Sequence, residues 1–324
     1  MKRLGKWLLA FVAVLAVAFL ALRTPDTDPA AMRAKYGGAP SRFVDLGGGL
    51  TVHLRDEGPR NAPVLVLLHG SNADLHTWDA WTRAMPNLRV IRYDQIGHGL
   101  TGPNTGGGHS PEAMVAVLER LRAKLGIERF SLAGNSMGGG VAAQYAMRYP
   151  QHLTALVLLD AGGAPKAGGE RGNIGFTLAA TPGVNLLMQS ITPRRIVERS
   201  LRQSVSNQAV VTEAAVDRYW ELLRYPGNRA ATMERFSGGR RTFSPAQIAA
   251  IKTPSLILWG EEDGLIGPEA ARWYTRGIAG SQLKIYPGVG HLPHEEVAKQ
   301  SADDANLFVS LHAAADAIDS LAKP

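Results

Sequence analysis

An α/β architecture, a doubly wound and mostly parallel sheet with an inserted helical cap, is predicted by three features of this 324-residue chain. Short apolar runs alternate with stretches of helical period along most of its length. A Gly-x-Ser-x-Gly turn, Gly134-Asn135-Ser136-Met137-Gly138, joins one apolar run to one helical stretch. Between residues 162 and 252 the alternation stops and only helical period remains. Continuous apolar runs suit strands covered on both faces, and their alternation with helices implies parallel crossovers.

Taken in order, Lys2, Arg3 and Lys6 precede an uncharged apolar run over 7–22, closed by Arg23. The run is a little short for a membrane span of about 20 residues and a little long for a signal-peptide core of about 7–15. A snorkelling Lys6 would let Leu4 lengthen it. The one small-x-small site, Ala16-Val17-Ala18, lies inside the run and not after it. The expectation is therefore an uncleaved signal anchor or transmembrane segment over 1–23. The positive-inside rule then places the rest of the chain outside the cytoplasm, in the periplasm of a Gram-negative cell. Secretion after cleavage is the alternative. Residues 24–41, with Thr24-Pro25-Asp26-Thr27-Asp28-Pro29, read as a tether.

Residues 42–46 and 50–54 alternate at period two around Gly47-Gly48-Gly49, a hairpin signal. Further strands are predicted over 64–68, 88–92, 130–133, 153–159, 255–259 and 282–286, with helices over 111–125, 139–148, 269–277 and 295–315. Core residues 42–161 and 253–324 thus flank a cap over 162–252, whose helices are expected over 193–202, 212–224 and 229–236. An insertion there overlies the carboxyl ends of the strands, where open α/β sheets bind ligands. An independent domain is the other reading, but the strand pattern resumes unchanged after it.

Composition suits a globular protein: 45% hydrophobic and 19% charged residues supply an ample core. The absence of cysteine excludes disulfides and thiolate metal sites. The net charge of +7 divides unevenly. Residues 1–23 hold four cations and no acid, and the cap holds thirteen Lys/Arg against six Asp/Glu, leaving the remainder net negative. The basicity thus belongs to two segments and forms no nucleic-acid footprint. The cap cations Arg194, Arg195, Arg199, Arg202, Arg240 and Arg241 read either as a solvated face or as a face toward an anionic bilayer. The apolar stretch over 175–188 reads equally as pocket lining and as cap packing.

The glycines of the Ser136 turn have a steric task, because strand and helix backbones come close there and side chains at 134 and 138 would clash. A serine hydroxyl is a poor nucleophile and needs a base, which in turn needs an orienting acid. Asp263 follows the strand over 255–259 and His291 the strand over 282–286, on the same edge of the sheet as Ser136. Five segments carry a resemblance: Leu68-His69-Gly70-Ser71, Asp94-Gln95-Ile96-Gly97-His98-Gly99, Gly134 through Gly139, Trp259-Gly260-Glu261-Glu262-Asp263, and Gly288-Val289-Gly290-His291. Over roughly 42–315 the chain resembles the α/β-hydrolase superfamily, in which the Gly-x-Ser-x-Gly turn is the nucleophile elbow.

The resemblance implies Ser136 as nucleophile, His291 as general base then acid, and Asp263 as the orienting carboxylate. It also implies an oxyanion hole from the backbone N–H groups of Met137 and Ser71, with Asn72 second to Ser71. Glu261, Glu262 and Asp160 stay open as alternative acids. His98 is expected to shape a loop and His69 to orient the oxyanion loop. The other histidines carry no special context, and none pairs with a carboxylate at metal-ligand spacing. No cofactor is implied. A serine at the elbow argues against the dehalogenase and epoxide-hydrolase branches, which use aspartate, and Met137 against proline-specific peptidases. A small hydrophobic ester is the expected substrate. Hydrolysis of a carbon–carbon bond in ring-cleavage products is the first alternative, although Leu292 replaces the aromatic common there. A binding protein on a retired scaffold is the second.

Overall fold

In the computed structural model, residues 2–166, 170–239 and 241–321 are described. The core is one eight-stranded sheet in the order β1-β2-β4-β3-β5-β6-β7-β8. Its strands are β1 (Ser41–Asp45), β2 (Thr51–Glu57), β3 (Val64–Leu68), β4 (Arg89–Tyr93), β5 (Phe130–Asn135), β6 (Leu153–Leu159), β7 (Ser255–Gly260) and β8 (Gln282–Tyr286). β1 and β2 pair antiparallel, β2 also runs antiparallel to β4, and every other pairing is parallel. All eight strands lie where the sequence pattern predicts them, within three residues.

Fourteen helices are described: α1 (Lys2–Leu22), α2 (Pro29–Tyr36), α3 (Asp79–Ala84), α4 (Pro111–Lys124), α5 (Met137–Arg148), α6 (Ile174–Ala180), α7 (Val184–Met188), α8 (Arg194–Ser204), α9 (Glu213–Leu223), α10 (Asn228–Ser237), α11 (Pro245–Ala249), α12 (Glu269–Gly277), α13 (Pro293–Glu296) and α14 (Ala298–Leu321). Side chains of α4, α5 and α12 pack one sheet face with Phe130, Leu132 and Trp259. α3 and α14 cover the other around Leu65, Leu67, Trp78 and Trp81. Both faces are therefore dry, as the uninterrupted strand sequences require.

Three elements differ from the sequence expectation. The helix expected over 295–315 is two helices, because Val297 leaves helical geometry between α13 and α14. The cap contains α6, α7 and α11 as well as the three helices foreseen. The segment read as a tether is docked on the cap. Thr24 N–H donates to Ser190 O at 2.8 Å, Arg229 donates to Thr24 O and Asp26, and Lys35 and Tyr36 bond Glu221. Asp28 caps α2 through Ala31 N, with Pro29 at its first turn, so this piece folds as a helix for ordinary local reasons.

The expected membrane segment forms α1, which exposes Trp7, Phe11, Val12, Val14 and Val17. Among the described residues no helix is long and apolar enough to cross a membrane. Met1 lies outside the described residues. Three of the six expected cap cations are paired within the protein: Arg194 with Glu198, Glu213 and Asp217, Arg202 with Glu198, and Arg241 with Glu112. Arg240 lies outside the described residues.

Candidate active site

β5 delivers Ser136 into a turn that the backbone can make only at φ +52°, with α5 starting at the next residue. Two bonds fix the turn: Ser136 N–H donates to Leu159 O at 3.0 Å and Gly162 N–H donates to Ser136 O at 2.8 Å. The steric argument for the glycines holds in numbers. A Cβ at Gly134 would lie 2.3 Å from Gly138 O, and one at Gly138 2.3 Å from Leu68 O. Met137 is the first residue of α5, so its N–H has no intrahelical acceptor and points with the helix dipole toward the turn.

Asp263 and His291 meet across the β7 and β8 loops, His291 Nδ1 standing 2.7 Å from Asp263 Oδ2. Both are buried. Asp263 Oδ1 accepts from Leu265 N and Ile266 N, which leaves Oδ2 aimed at the imidazole. With Nδ1 engaged, the opposite ring nitrogen is the one free for a substrate or a hydroxyl. Among the described residues no hydrogen bond joins His291 to Ser136, but both line one cavity; apo sites are commonly loose in this way. Glu261 and Glu262 are exposed, so neither competes with Asp263. Asp160 is fully buried beside the pair: carboxylate oxygens of Asp160 and Asp263 and a ring nitrogen of His291 lie within 4.8 Å of one another.

The loop after β3 brings Ser71 and Asn72 to the same cavity. His69 anchors it, with Nδ1 2.8 Å from Gly70 O and Nε2 accepting from Gln95 N at 3.0 Å. His98 is buried with its Nδ1 3.1 Å from Ile96 O. Burial holds both imidazoles below their ordinary value, which suits uncharged structural histidines.

Two residues passed over at sequence level hold the site together. Asn135 Nδ2 donates to His291 O at 3.1 Å, linking the Ser136 turn to the His291 loop. Glu296 accepts Gly290 N and Leu292 N on Oε1, and Ser206 N and Asn207 N on Oε2. One buried carboxylate thus joins the histidine loop to the cap. His291 N–H itself donates to Ser204 O, at the end of α8. A glutamate five residues after the base in a charged helix gives no hint of this, since half its partners lie about ninety residues away.

The cavity encloses about 860 Å³, its open mouth included, between the loops and the cap. Phe176, Ala179 and Met188 of the 175–188 stretch line it, whereas Leu186 and Leu187 of the same stretch are 67% and 53% exposed. Both readings of that stretch therefore hold in part, since Phe176 also stacks on Phe236. The one arginine or lysine among the described lining residues is Arg229, and Asp26 neutralises it at 2.7 Å.

Residues 63–298 match the family described as alpha/beta hydrolase fold. Curated relatives include the 2-hydroxy-6-oxononadienedioate/2-hydroxy-6-oxononatrienedioate hydrolase of Klebsiella pneumoniae, 30% identical over 285 residues, which cover 84% of this chain and 94% of the relative. The 2-hydroxy-6-oxo-2,4-heptadienoate hydrolase of Pseudomonas putida is 27% identical over 256 residues, 76% of this chain and 88% of the relative. Among solved structures, a bacterial membrane phospholipase A superposes with TM-score 0.73 at 23% identity, covering 96% of this chain and 99% of the other. A meta-cleavage product hydrolase of Pseudomonas fluorescens gives 0.72 at 22% identity, covering 82% and 96%. At these identities the structural likenesses show a shared fold alone.

Proposed function

The chain belongs to the alpha/beta hydrolase fold family and is a hydrolase, and from that premise we propose that Ser136 cleaves an uncharged hydrophobic carboxylic ester through an acyl-enzyme. The observation that carries the chemistry is the buried 2.7 Å contact between His291 and Asp263, in one cavity with the strained Ser136. Ser136 Oγ attacks the ester carbonyl carbon as His291 takes its proton. The oxyanion is held by the N–H groups of Ser71 and Met137, each worth roughly 2.7–4 kcal/mol in such sites. Collapse expels the alkoxide, which takes the proton from His291. Water then gives its proton to His291 as it attacks the acyl carbon, and collapse frees the acid as His291 returns that proton to Ser136 Oγ.

The cavity supports the ester: its walls are mainly apolar, and Arg229, the one arginine or lysine among the described lining residues, is already paired. Carbon–carbon-bond hydrolysis is the second reading, and the curated relatives weigh on its side. Those named above act, by name, on dienoates, which carry one or two carboxylates. One feature here would answer such a charge. Arg235 Nε and Nη1 are buried without partners, and its Nη2 donates to Thr232, which lines the cavity. Turnover of p-nitrophenyl esters of short and long chains, set against a dienone ring-cleavage substrate, decides between them. Ester turnover at least about a thousandfold above that of Ser136→Ala is expected. Faster cleavage of the dienone than of any ester establishes the second reading, and equal ester rates in both proteins remove Ser136 as nucleophile.

The site of action proposed is a membrane surface outside the cytoplasm, reached through α1 and the exposed Leu186 and Leu187. Arg194, Arg202 and Arg241 of the cationic cap face contribute little here because their charges are paired within the protein. Flotation with neutral and anionic vesicles tests this. Similar binding to both, lost on removing residues 1–23, is expected; binding to anionic vesicles alone, or to neither, refutes it.

A further inference from the structure

Asp160 takes no part in the reaction just described, yet its surroundings are those of a working group. Among the described residues only three non-glycine residues have positive φ: Asn72 at 61°, Ser136 at 52° and Asp160 at 44°. The first two belong to the oxyanion loop and the nucleophile turn. Such backbone strain persists only where the surrounding structure enforces it, and it gathers at functional sites. Asp160 is fully buried at the end of β6. Its Oδ1 accepts from Gly260 N at 3.0 Å, while Oδ2 has no partner that meets hydrogen-bond geometry. The groups facing it are Asp263 after β7, His291 and Glu296 beyond β8, and Tyr286 at the end of β8. Three carboxyl groups and one imidazole in a dry pocket cannot all be ionised, and Glu296 is already committed to four N–H donors.

We propose that Asp160 is a protonated carboxylic acid whose hydrogen is directed at the Asp263 carboxylate, so that it positions the acid facing His291 and keeps a single negative charge there. Burial first, and the Asp263 charge second, hold the Asp160 carboxyl well above the usual carboxylate range, in keeping with this. A neutral donor on Asp263 draws charge away from it and so moderates how strongly the imidazolium is stabilised. Asp160 is thus a positioning residue, acting on the base through Asp263.

The inference rests on the Ser136–His291–Asp263 reading, and Ser136→Ala measured alongside tells the two failures apart. The acid limb of the kcat/KM pH profile reports protonation of the base. Asp160→Leu removes the donor, and the limb is expected to move up by about half a pH unit or more. Asp160→Asn keeps a neutral donor and is expected to bring the limb back toward wild type. A downward move in Asp160→Asn would mean that a charge had been removed, and no move in Asp160→Leu would mean that Asp263 does not feel its neighbour; either overturns the proposal. If Asp160→Leu fails to fold, Asp263→Asn decides. With Asp263 neutral, Asp160 becomes free to ionise and face His291, so Asp263→Asn should exceed Asp160→Asn/Asp263→Asn by about tenfold or more. Equal residual rates overturn the proposal, provided that Ser136→Ala is inactive.

Discussion

Replacing Glu296 by glutamine tests whether one buried carboxylate holds the base loop to the cap. Its Oε1 serves Gly290 N and Leu292 N at 3.0 and 3.3 Å, and Oε2 serves Ser206 N and Asn207 N, both at 2.8 Å. Glutamine keeps one oxygen, and its amide nitrogen must face two N–H groups that it cannot accept. Two charge-assisted bonds are lost whichever way the amide turns. At the lower end of their usual worth, about 1.5 kcal/mol each, the loss is about 3 kcal/mol. Unfolding entropy of about 2.1 cal/mol/K per residue over a chain of this size converts that to a fall in Tm of about 4 °C. His291 lies between two of the four donors, so kcat/KM on an ester should drop by about tenfold or more as the imidazole loses its place. Thermal melts and steady-state rates on the same preparation make the check. A Glu296→Gln protein that melts within about 1 °C of wild type with unchanged kcat/KM would show that this reasoning is wrong.

Two other outcomes are expected. Gly138→Ala should destabilise by more than about 3 kcal/mol, or fail to yield soluble protein, because the new Cβ meets the Leu68 and His69 carbonyl oxygens at 2.3 and 2.6 Å. Alanine is otherwise favoured over glycine in a helix, so unchanged urea denaturation would contradict the steric reading. His294 gives a pH dependence. Burial, and after it the nearby His291, hold its imidazole at about 3, against about 6.5 when unfolded. Between those values the unfolded chain carries a proton that the folded chain lacks, so stability falls as pH drops, by about 1.4 kcal/mol per unit. In His294→Gln the loss between pH 6.5 and 4.5 should shrink by about 2–3 kcal/mol; parallel stability curves for the two proteins would reject the assignment.

The inner strands were legible because each is a short apolar run bounded by turn residues, and burial on both faces leaves no polar alternation to confuse the period, whereas β1 and β2 were legible from their alternation. Ser136, Asp263 and His291 were legible for a related reason. Each follows a strand on the same edge, so topology brings together what sequence separates. The short cap helices α6 and α7 escaped notice because five to seven residues hold too little period to read. Glu296 and Asn135 escaped for a different reason: their significance lies in backbone partners from other segments. The docking of 24–36 depends likewise on Glu221 and Arg229, far along the chain. Proline and aspartate in that segment suggested a loose connector, whereas here they start and cap a helix.

The lashing of Thr24 and Asp26 to Ser190 and Arg229 has a mechanical consequence. Whatever pulls on the amino-terminal helix pulls first on the roof of the site, since the sheet is joined only from Ser41 onward. In a chain moored by its front end, the roof is then the stationary member. Opening the site would swing the sheet, Ser136 included, away from a lid that stays put.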